Sequence, residues 1–319
     1  MKVLIETPTW IGDCVMITPS IRNLIDCYKN IDITIIGPES TIQLLKHHPN
    51  VNSVYPIEKN TLKTIRFILS LDKDFDMFIS YRSSLRTSIF KSFIKAPKKY
   101  QFNKNLFRSG HQVEKYSDFI NSITGIKKIP RELELFNSQE SLKVKPVKGQ
   151  IMIGINPGAA FGSAKRWTKE GFINSSIRLS KFGQIVIFGG RNEIDLCNLI
   201  ENALMENNVD NYRNLGGKTD IESLIAEISK LNLFITGDSG PMHIAAAFQI
   251  PTISIFGPTI SQETSQWKNK FTKIINKNLE CQPCMKRSCP LKHHNCMELI
   301  KSDEVFEESL KLLGKINVN

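Results

Sequence analysis

The chain has 319 residues, 41% of them hydrophobic and 23% charged, a globular composition long enough for two domains of ordinary size. No apolar run reaches the roughly 18 residues that cross a bilayer, and the short apolar start of MKVLIETPTW has neither the core nor the cleavage site of a signal peptide, so a cytoplasmic location is expected. Net charge is +11, with 23 Lys+Arg against 14 Asp+Glu in residues 1–150 and 19 against 17 in the remainder; the N-terminal half is therefore the part expected to face something anionic, although simple solubility produces the same excess.

Seven cysteines, an odd number with three scattered (Cys14, Cys27 and Cys197), are expected to be thiols in a reducing compartment. Along the chain, short apolar runs alternate with longer amphipathic ones. KVLIE (2–6) predicts a buried strand. Residues 13–29 have helical spacing at Val15, Ile17, Ile21, Leu24 and Ile25, interrupted by Pro19. IDITIIG (31–37) predicts the next strand, followed by a helix ended by Pro49, a strand over NSVYPI, a helix near 60–71 and a strand at 76–81. This is strand–helix–strand repeated, which gives a parallel sheet with helices on both faces.

Residues 137–150 lack apolar periodicity and read as a linker. The alternation then restarts: strands at 151–156, 184–190, 233–237 and 251–257, helices near 169–182, 192–206, 222–231 and 241–248, and a terminal helix in SDEVFEESLKLLGKI. The expected fold class is α/β, with two Rossmann-like domains facing across a cleft. One spans 1–145, the other 151–319, and the last helix is a candidate to pack back on the first domain. In such sheets ligands bind beyond the carboxyl ends of the strands.

GDSGP (237–241) has the form of a serine-protease nucleophile loop. Its setting argues otherwise, because it follows a buried strand and precedes Pro241, which suits the first turn of a helix. Gly237 and Gly240 let backbone approach a ligand. The amides at the helix start favour an anion such as a diphosphate. Asp238 is placed to accept from a sugar hydroxyl or an amide, Ser239 and Gly240 line the same turn, and His243 lies in the first helical turn. His243 is only four residues from Ser239, unlike the distant base of a hydrolytic triad. An ordinary helix cap at Asp238 and Ser239 is the plain alternative.

The longer stretch TGDSGPMHIAAAFQIPTISIFGPT resembles the signature of glycosyltransferase family 9, the heptosyltransferases of the lipopolysaccharide inner core. TPTWIGDCVMITPSIRNL is similar to that family's acceptor-side motif, and NPGAAFGSAKRWTKEGF (156–172) to its donor-side loop. LGGKTDIESLIAEI (215–228) matches as well. The PGAAFGSAKRW form and the Cys-rich segment look most like the members that add a heptose to the first heptose; members that act on a Kdo sugar are the alternative. No motif stands out over 60–135, where acceptor choice is expected to be set.

The resemblance implies the two-domain GT-B fold and inversion at the sugar carbon. It implies ADP-L-glycero-D-manno-heptose as donor and a lipid-linked inner-core oligosaccharide as acceptor, at the cytoplasmic face of the inner membrane. It makes Asp13 the general base and Glu193 the ribose-binding acid. Chemistry of this kind needs a base on the acceptor hydroxyl and neutralisation of the leaving diphosphate. Lys165, in a loop with Gly158 and Gly162 and beside Arg166, is the candidate for the second task, with Ser163 adding a hydroxyl. The plain alternatives are an N-cap at Asp13, a solvated basic loop around Lys165 and first-turn acidity at Glu193. Gly189 and Gly190 suit close approach of a nucleotide, and Trp167 reads as a core or loop anchor.

YRSSLRTSIFKSFIKAPKK (81–99) carries Arg82, Arg86, Lys91, Lys95, Lys98 and Lys99, a stripe suited to phosphates of the lipid-linked core and to anionic headgroups, or to simple solvation. Without interleaved stacking aromatics or a binding motif, nucleic acid is not expected as a partner. Cys281, Cys284, Cys289 and Cys296, with two histidines, leave open a structural zinc or free thiols. No metal is expected to be required for catalysis.

Overall fold

The computed structural model describes residues 1–58, 60–71, 74–137 and 151–316. The chain divides into two compact units, Met1–Glu140 and Ser141–Asn319. Nearly all of the expected linker, from 138 to 150, lies outside the described residues.

In the first unit β1 (Lys2–Glu6), β2 (Asp32–Gly37), β3 (Val51–Pro56), β4 (Met77–Ser80) and β5 (Lys98–Gln101) form a sheet in the order β3-β2-β1-β4-β5. Every pairing is parallel. The central strands are apolar runs, as burial on both faces requires: Val3, Leu4, Ile5, Ile33, Ile35, Phe78 and Ile79 have no exposed surface. Instead of one helix over 13–29 there are two, Ile11–Met16 and Thr18–Cys27, parted at Ile17. Pro19 sits in the first turn of the second helix, where its missing N–H is no loss.

The second unit holds β6 (Met152–Asn156), β7 (Gln184–Ile187), β8 (Tyr212–Asn214), β9 (Leu233–Gly237), β10 (Thr252–Ile255) and β11 (Thr272–Ile275), ordered β11-β10-β9-β6-β7-β8 and again parallel throughout. Helix Ser302–Ile316 packs on helix Lys169–Leu179 and on β9, β10 and β11, and adds Val305, Leu312 and Leu313 to the core. Trp167 is an anchor of that core, 4% exposed, with its indole N–H donating to the Ile300 carbonyl at 3.0 Å.

Each sheet has one place where strand order reverses: between β1 and β4 in the first unit, and between β6 and β9 in the second. In open α/β sheets ligands bind at such a reversal, beyond the carboxyl ends of the strands.

Candidate active site

In the first unit Asp13 is at that reversal. It is not an N-cap: Trp10 caps the helix Ile11–Met16, and Asp13 is its third residue. The loop leading to it is fixed from beneath. The Thr7 and Thr41 hydroxyls bond at 2.7 Å, and the Cys14 thiol donates to the Thr41 carbonyl at 3.3 Å. At Gly37 a side chain would lie 2.0 Å from Thr7 Oγ1, so only glycine permits this approach. Tyr116, on helix Gln112–Thr124, donates its hydroxyl to Asp13 Oδ1 at 3.0 Å. Burial, with Asp13's charge next, pushes the Tyr116 phenol well above its ordinary value. The phenol is thus a permanent donor that orients the carboxylate. No sequence signal marked Tyr116.

Glu6, at the end of β1, was also missed. Fully buried, it accepts from the hydroxyls of Ser80 at 2.5 Å and Thr87 at 2.9 Å, and Arg82 Nη1 lies 3.4 Å from its other oxygen. Burial raises its pKa, against these three contacts. Arg82 and Arg86 therefore do not belong to a solvated stripe. Arg86 donates to Thr64 Oγ1 at 2.5 Å and to the Glu58 carbonyl. The stripe itself is not one helix but a helix Leu85–Phe90, a 3-10 turn Lys91–Phe93 and β5.

In the second unit the candidate donor residues gather at the β6–β9 reversal. Lys165 closes a 3-10 turn, Ser163–Lys165, and its Nζ lies 2.5 Å from Asp238 Oδ2. The same oxygen accepts from Thr259 Oγ1 at 2.7 Å. Asp238 is 7% exposed and the Lys165 side chain 13%. Asp238 thus holds Lys165 through Oδ2. Ser239 occupies the N-cap position of helix Gly240–Ala247 without making a side-chain cap bond. Its hydroxyl meets Thr236 Oγ1 at 2.9 Å and Asn156 Nδ2 at 3.3 Å. Neither partner is a general base, so nothing activates a nucleophile. The amide ends of Gly240 and its neighbours head the helix, and His243 is buried in its first turn.

Glu193 ends the 3-10 turn Arg191–Glu193 and accepts from the Gly190 N–H at 2.8 Å. Gly158 presses on it from the other side: a β-carbon there would be 2.0 Å from the carboxyl carbon. Gly189 packs in the same manner on the Cys197 sulfur. Burial, and then Glu193 and Glu201, push the Cys197 thiol up to about 12, so this cysteine is an inert core residue.

The Cys-rich segment frames the Lys165 loop, a role its sequence did not suggest. The Arg287 carbonyl accepts from the Ala164 N–H at 3.0 Å, and His294 Nε2 lies 3.0 Å from the Ala164 carbonyl. Gly162 makes room for the Arg287 carbonyl, which would be 2.3 Å from a β-carbon. Phe161 lies under both cations, Lys165 Nζ at 4.8 Å and Arg287 at 5.4 Å. All seven cysteines are free thiols. Burial and the three neighbouring thiols push Cys296 up to about 11. Among the described residues, no three of His, Cys, Asp and Glu gather in a way that would hold a metal ion.

The model of glycosyltransferase family 9 (heptosyltransferase) matches residues 65–295. A lipooligosaccharide heptosyltransferase 2 of Campylobacter jejuni is 38% identical over 98% of both chains. A lipopolysaccharide heptosyltransferase 2 of Salmonella typhimurium is 25% identical over the full length of both. Among solved structures, the ADP-heptose lipopolysaccharide heptosyltransferase II of Escherichia coli superposes with a TM-score of 0.82 at 24% identity, covering 99% of this chain and all of that one. The doubly wound units are thus those of the GT-B fold.

Proposed function

The chain belongs to glycosyltransferase family 9, the heptosyltransferases, and from that premise we propose the reaction it carries out. It moves L-glycero-D-manno-heptose, with inversion, from ADP-heptose to a heptose of the lipopolysaccharide or lipooligosaccharide inner core. The observation that carries the reading is the placement of a carboxylate, Asp13, at the reversal point of one sheet and a cation, Lys165, at that of the other.

Asp13, oriented by Tyr116, takes the proton from the acceptor hydroxyl as that oxygen attacks the anomeric carbon. The bond to the diphosphate breaks on the opposite face of the sugar. Lys165 and the amides at Gly240 take up the charge that develops on the departing phosphate. In the free protein Asp238 and Thr259 keep Lys165 in place; with donor bound, the ammonium is shared with the phosphates. Ser163 lies in the same turn, within the loop's reach of those phosphates. Glu193, seated between Gly158 and Gly190, accepts from the ribose hydroxyls. His243 supports the start of the helix. A lysine and helix amides supply the positive charge, so no metal cofactor is required and a chelator should leave turnover unchanged.

The acceptor is lipid-linked, which places the enzyme peripherally at the cytoplasmic face of the inner membrane. Among the described residues no helix is long and apolar enough to cross a membrane. Nucleic acid is not a partner in this reading.

The test is ADP release from ADP-heptose with core acceptors truncated after Kdo or after the first heptose. Release with the heptose-bearing acceptor alone supports the proposal. Release with the Kdo acceptor alone moves the assignment to the first heptose transfer.

A further inference from the structure

Arg82 follows β4 closely in the chain, and its backbone is tied down on both sides. Its N–H donates to Ser80 Oγ at 3.1 Å, and its carbonyl accepts from Gln101 Nε2 at 3.0 Å. Its side chain is 17% exposed. A guanidinium has five N–H donors. Among the described residues the guanidinium of Arg82 has one hydrogen-bond partner, Glu6 Oε1, at 3.4 Å, longer than an ordinary N–H···O bond. The other Glu6 oxygen is taken by Ser80 and Thr87. Glu6 also faces a second cation. Burial, and then the charge of Arg82, hold the Arg86 guanidinium below its ordinary value, with Glu6 acting the other way. Two mostly enclosed guanidiniums thus share one carboxylate, an excess of positive charge that a further anion would balance.

The other side of the same reversal carries an aromatic group. Trp10 precedes Asp13 on the loop from β1 and is 48% exposed, although tryptophan is mostly buried in folded chains. Its carbonyl accepts from the Cys14 N–H at 2.9 Å. Among the described residues its indole meets no ring, cation or hydrogen-bond partner. A fixed loop beside Asp13 therefore presents an aromatic face that the fold itself does not use.

The sheet order relates these two groups. From β1 the chain moves to β2 and β3, and from β4 it moves the opposite way to β5. Right-handed crossovers in opposite directions lie on opposite faces of the sheet. Trp10 and Asp13 belong to the first crossover and Arg82 to the second, so they flank the β1–β4 reversal from its two faces. The side chains agree. Ser80 and Arg82 reach Glu6, while Tyr81 between them turns to the Asp13 face, where its ring meets Tyr116 at 5.5 Å and its hydroxyl meets Ser20 Oγ at 2.7 Å.

We infer that Trp10 and Arg82 form the acceptor subsite of the first unit and that they select an acidic sugar: the indole stacks on a sugar ring, and the guanidinium takes an oxyanion carried by the acceptor. The C–H bonds on one face of a sugar ring suit the negative face of an indole. A guanidinium with unused parallel donors suits a carboxylate or a phosphate. The carboxylate of a sugar acid next to the acceptor heptose and a phosphate ester on the core are the two sources of such a group. The inference rests on the reading that the acceptor is an inner-core sugar.

The test uses deacylated, water-soluble acceptors ending in a heptose, in three forms: intact, with carboxylates reduced to alcohols, and with phosphate esters removed. Wild-type KM for acceptor should rise about 10–100-fold on the form that lacks the oxyanion held by Arg82, and that form identifies the group as carboxylate or phosphate. Arg82→Gln/Glu6→Gln leaves no uncompensated charge. It should show the same rise with intact acceptor and no further rise with the modified form, with donor KM unchanged. Trp10→Ala should raise acceptor KM about tenfold and Trp10→Phe about two- to threefold. Intact acceptor should change the tryptophan fluorescence of wild type and leave that of Trp10→Phe unchanged. Equal wild-type KM on all three forms, or a double variant that still distinguishes them as wild type does, overturns the anion site. Wild-type acceptor KM in Trp10→Ala overturns the stacking. In each of these cases turnover of the intact acceptor leaves the transferase reading standing, whereas no ADP release with any form overturns both.

Discussion

Lys165 has two roles that one variant cannot separate: it compensates Asp238, and it is proposed to carry the diphosphate charge. With Lys165→Met, Asp238 stays nearly buried beside Thr259 without its cation. Breaking a buried pair in this way costs about 3–5 kcal/mol. Since the Lys165 side chain is 13% exposed, the lower end applies, about 3 kcal/mol, or a fall of about 6–12 °C in melting temperature for a unit of this size. The same variant should lower kcat by about 10²–10³, the usual loss for one group that stabilises developing negative charge. Lys165→Met/Asp238→Asn leaves no uncompensated charge. It should recover most of the lost melting temperature and none of the lost turnover. Thermal melting and ADP release on the single and double variants make the comparison. If the double variant turns over within about threefold of wild type, Lys165 is only the counter-ion of Asp238 and its catalytic role is refuted.

Tyr116→Phe removes the hydroxyl that holds Asp13 and should lower kcat by about five- to tenfold with KM for donor unchanged; a rise in donor KM instead would remove Tyr116 from the acceptor side. Gly158→Ala puts a methyl group where the Glu193 carboxylate now sits, so ADP should bind about tenfold more weakly by calorimetry at nearly wild-type stability, and unchanged ADP affinity would take Glu193 out of the nucleotide site. Burial raises Glu6 above its ordinary value of 4.5, so the folded chain holds this proton more tightly than the unfolded one. The penalty for the buried carboxylate is therefore full above the raised value and is relieved as pH falls toward 4.5. Urea midpoints should show wild type gaining on Glu6→Gln as pH drops from neutral, and a gain in the opposite direction would contradict the burial argument.

The sequence is most legible where burial is two-sided. β1, β2, β4, β6, β9 and β10 lie inside their sheets and their apolar runs mark them directly. Three strands escaped that reading, β5 (KKYQ), β8 (YRN) and β11 (TKII). All are edge strands, where charged and polar residues are favoured because one side has no partner strand. Helix Gln112–Thr124 was missed too; it begins with a capping box at His111 and Glu114 rather than at a Ser, Thr, Asp or Asn. The break at Ile17 was hinted at by Pro19, but the handover between two helices depends on the loop held by Thr7, Thr41 and Cys14.

The site divides in the same way. Asp13, Lys165, Glu193 and the turn from Asp238 to Gly240 follow strands closely in the chain, in motifs of local sequence. The groups that orient them come from far along the chain. Tyr116 is 103 residues from Asp13, Asp238 is 73 from Lys165, and His294 is 130 from Ala164. Local pattern carries no record of such pairings. The Cys-rich segment shows this most clearly: its cysteines left open a structural zinc or free thiols, while its contacts in the fold support the Lys165 loop with a backbone carbonyl and a histidine.

The central claim of the proposal is that Asp13 takes the proton from the acceptor hydroxyl that attacks ADP-heptose. Mass spectrometry of a heptose-terminated core acceptor, incubated with ADP-heptose and either wild type or Asp13→Asn, tests it most directly. Wild type should add one heptose residue per acceptor, while Asp13→Asn should lose about 10²–10⁴ in rate and still bind ADP-heptose with wild-type affinity. Heptose transfer by Asp13→Asn at a rate near wild type would contradict the account.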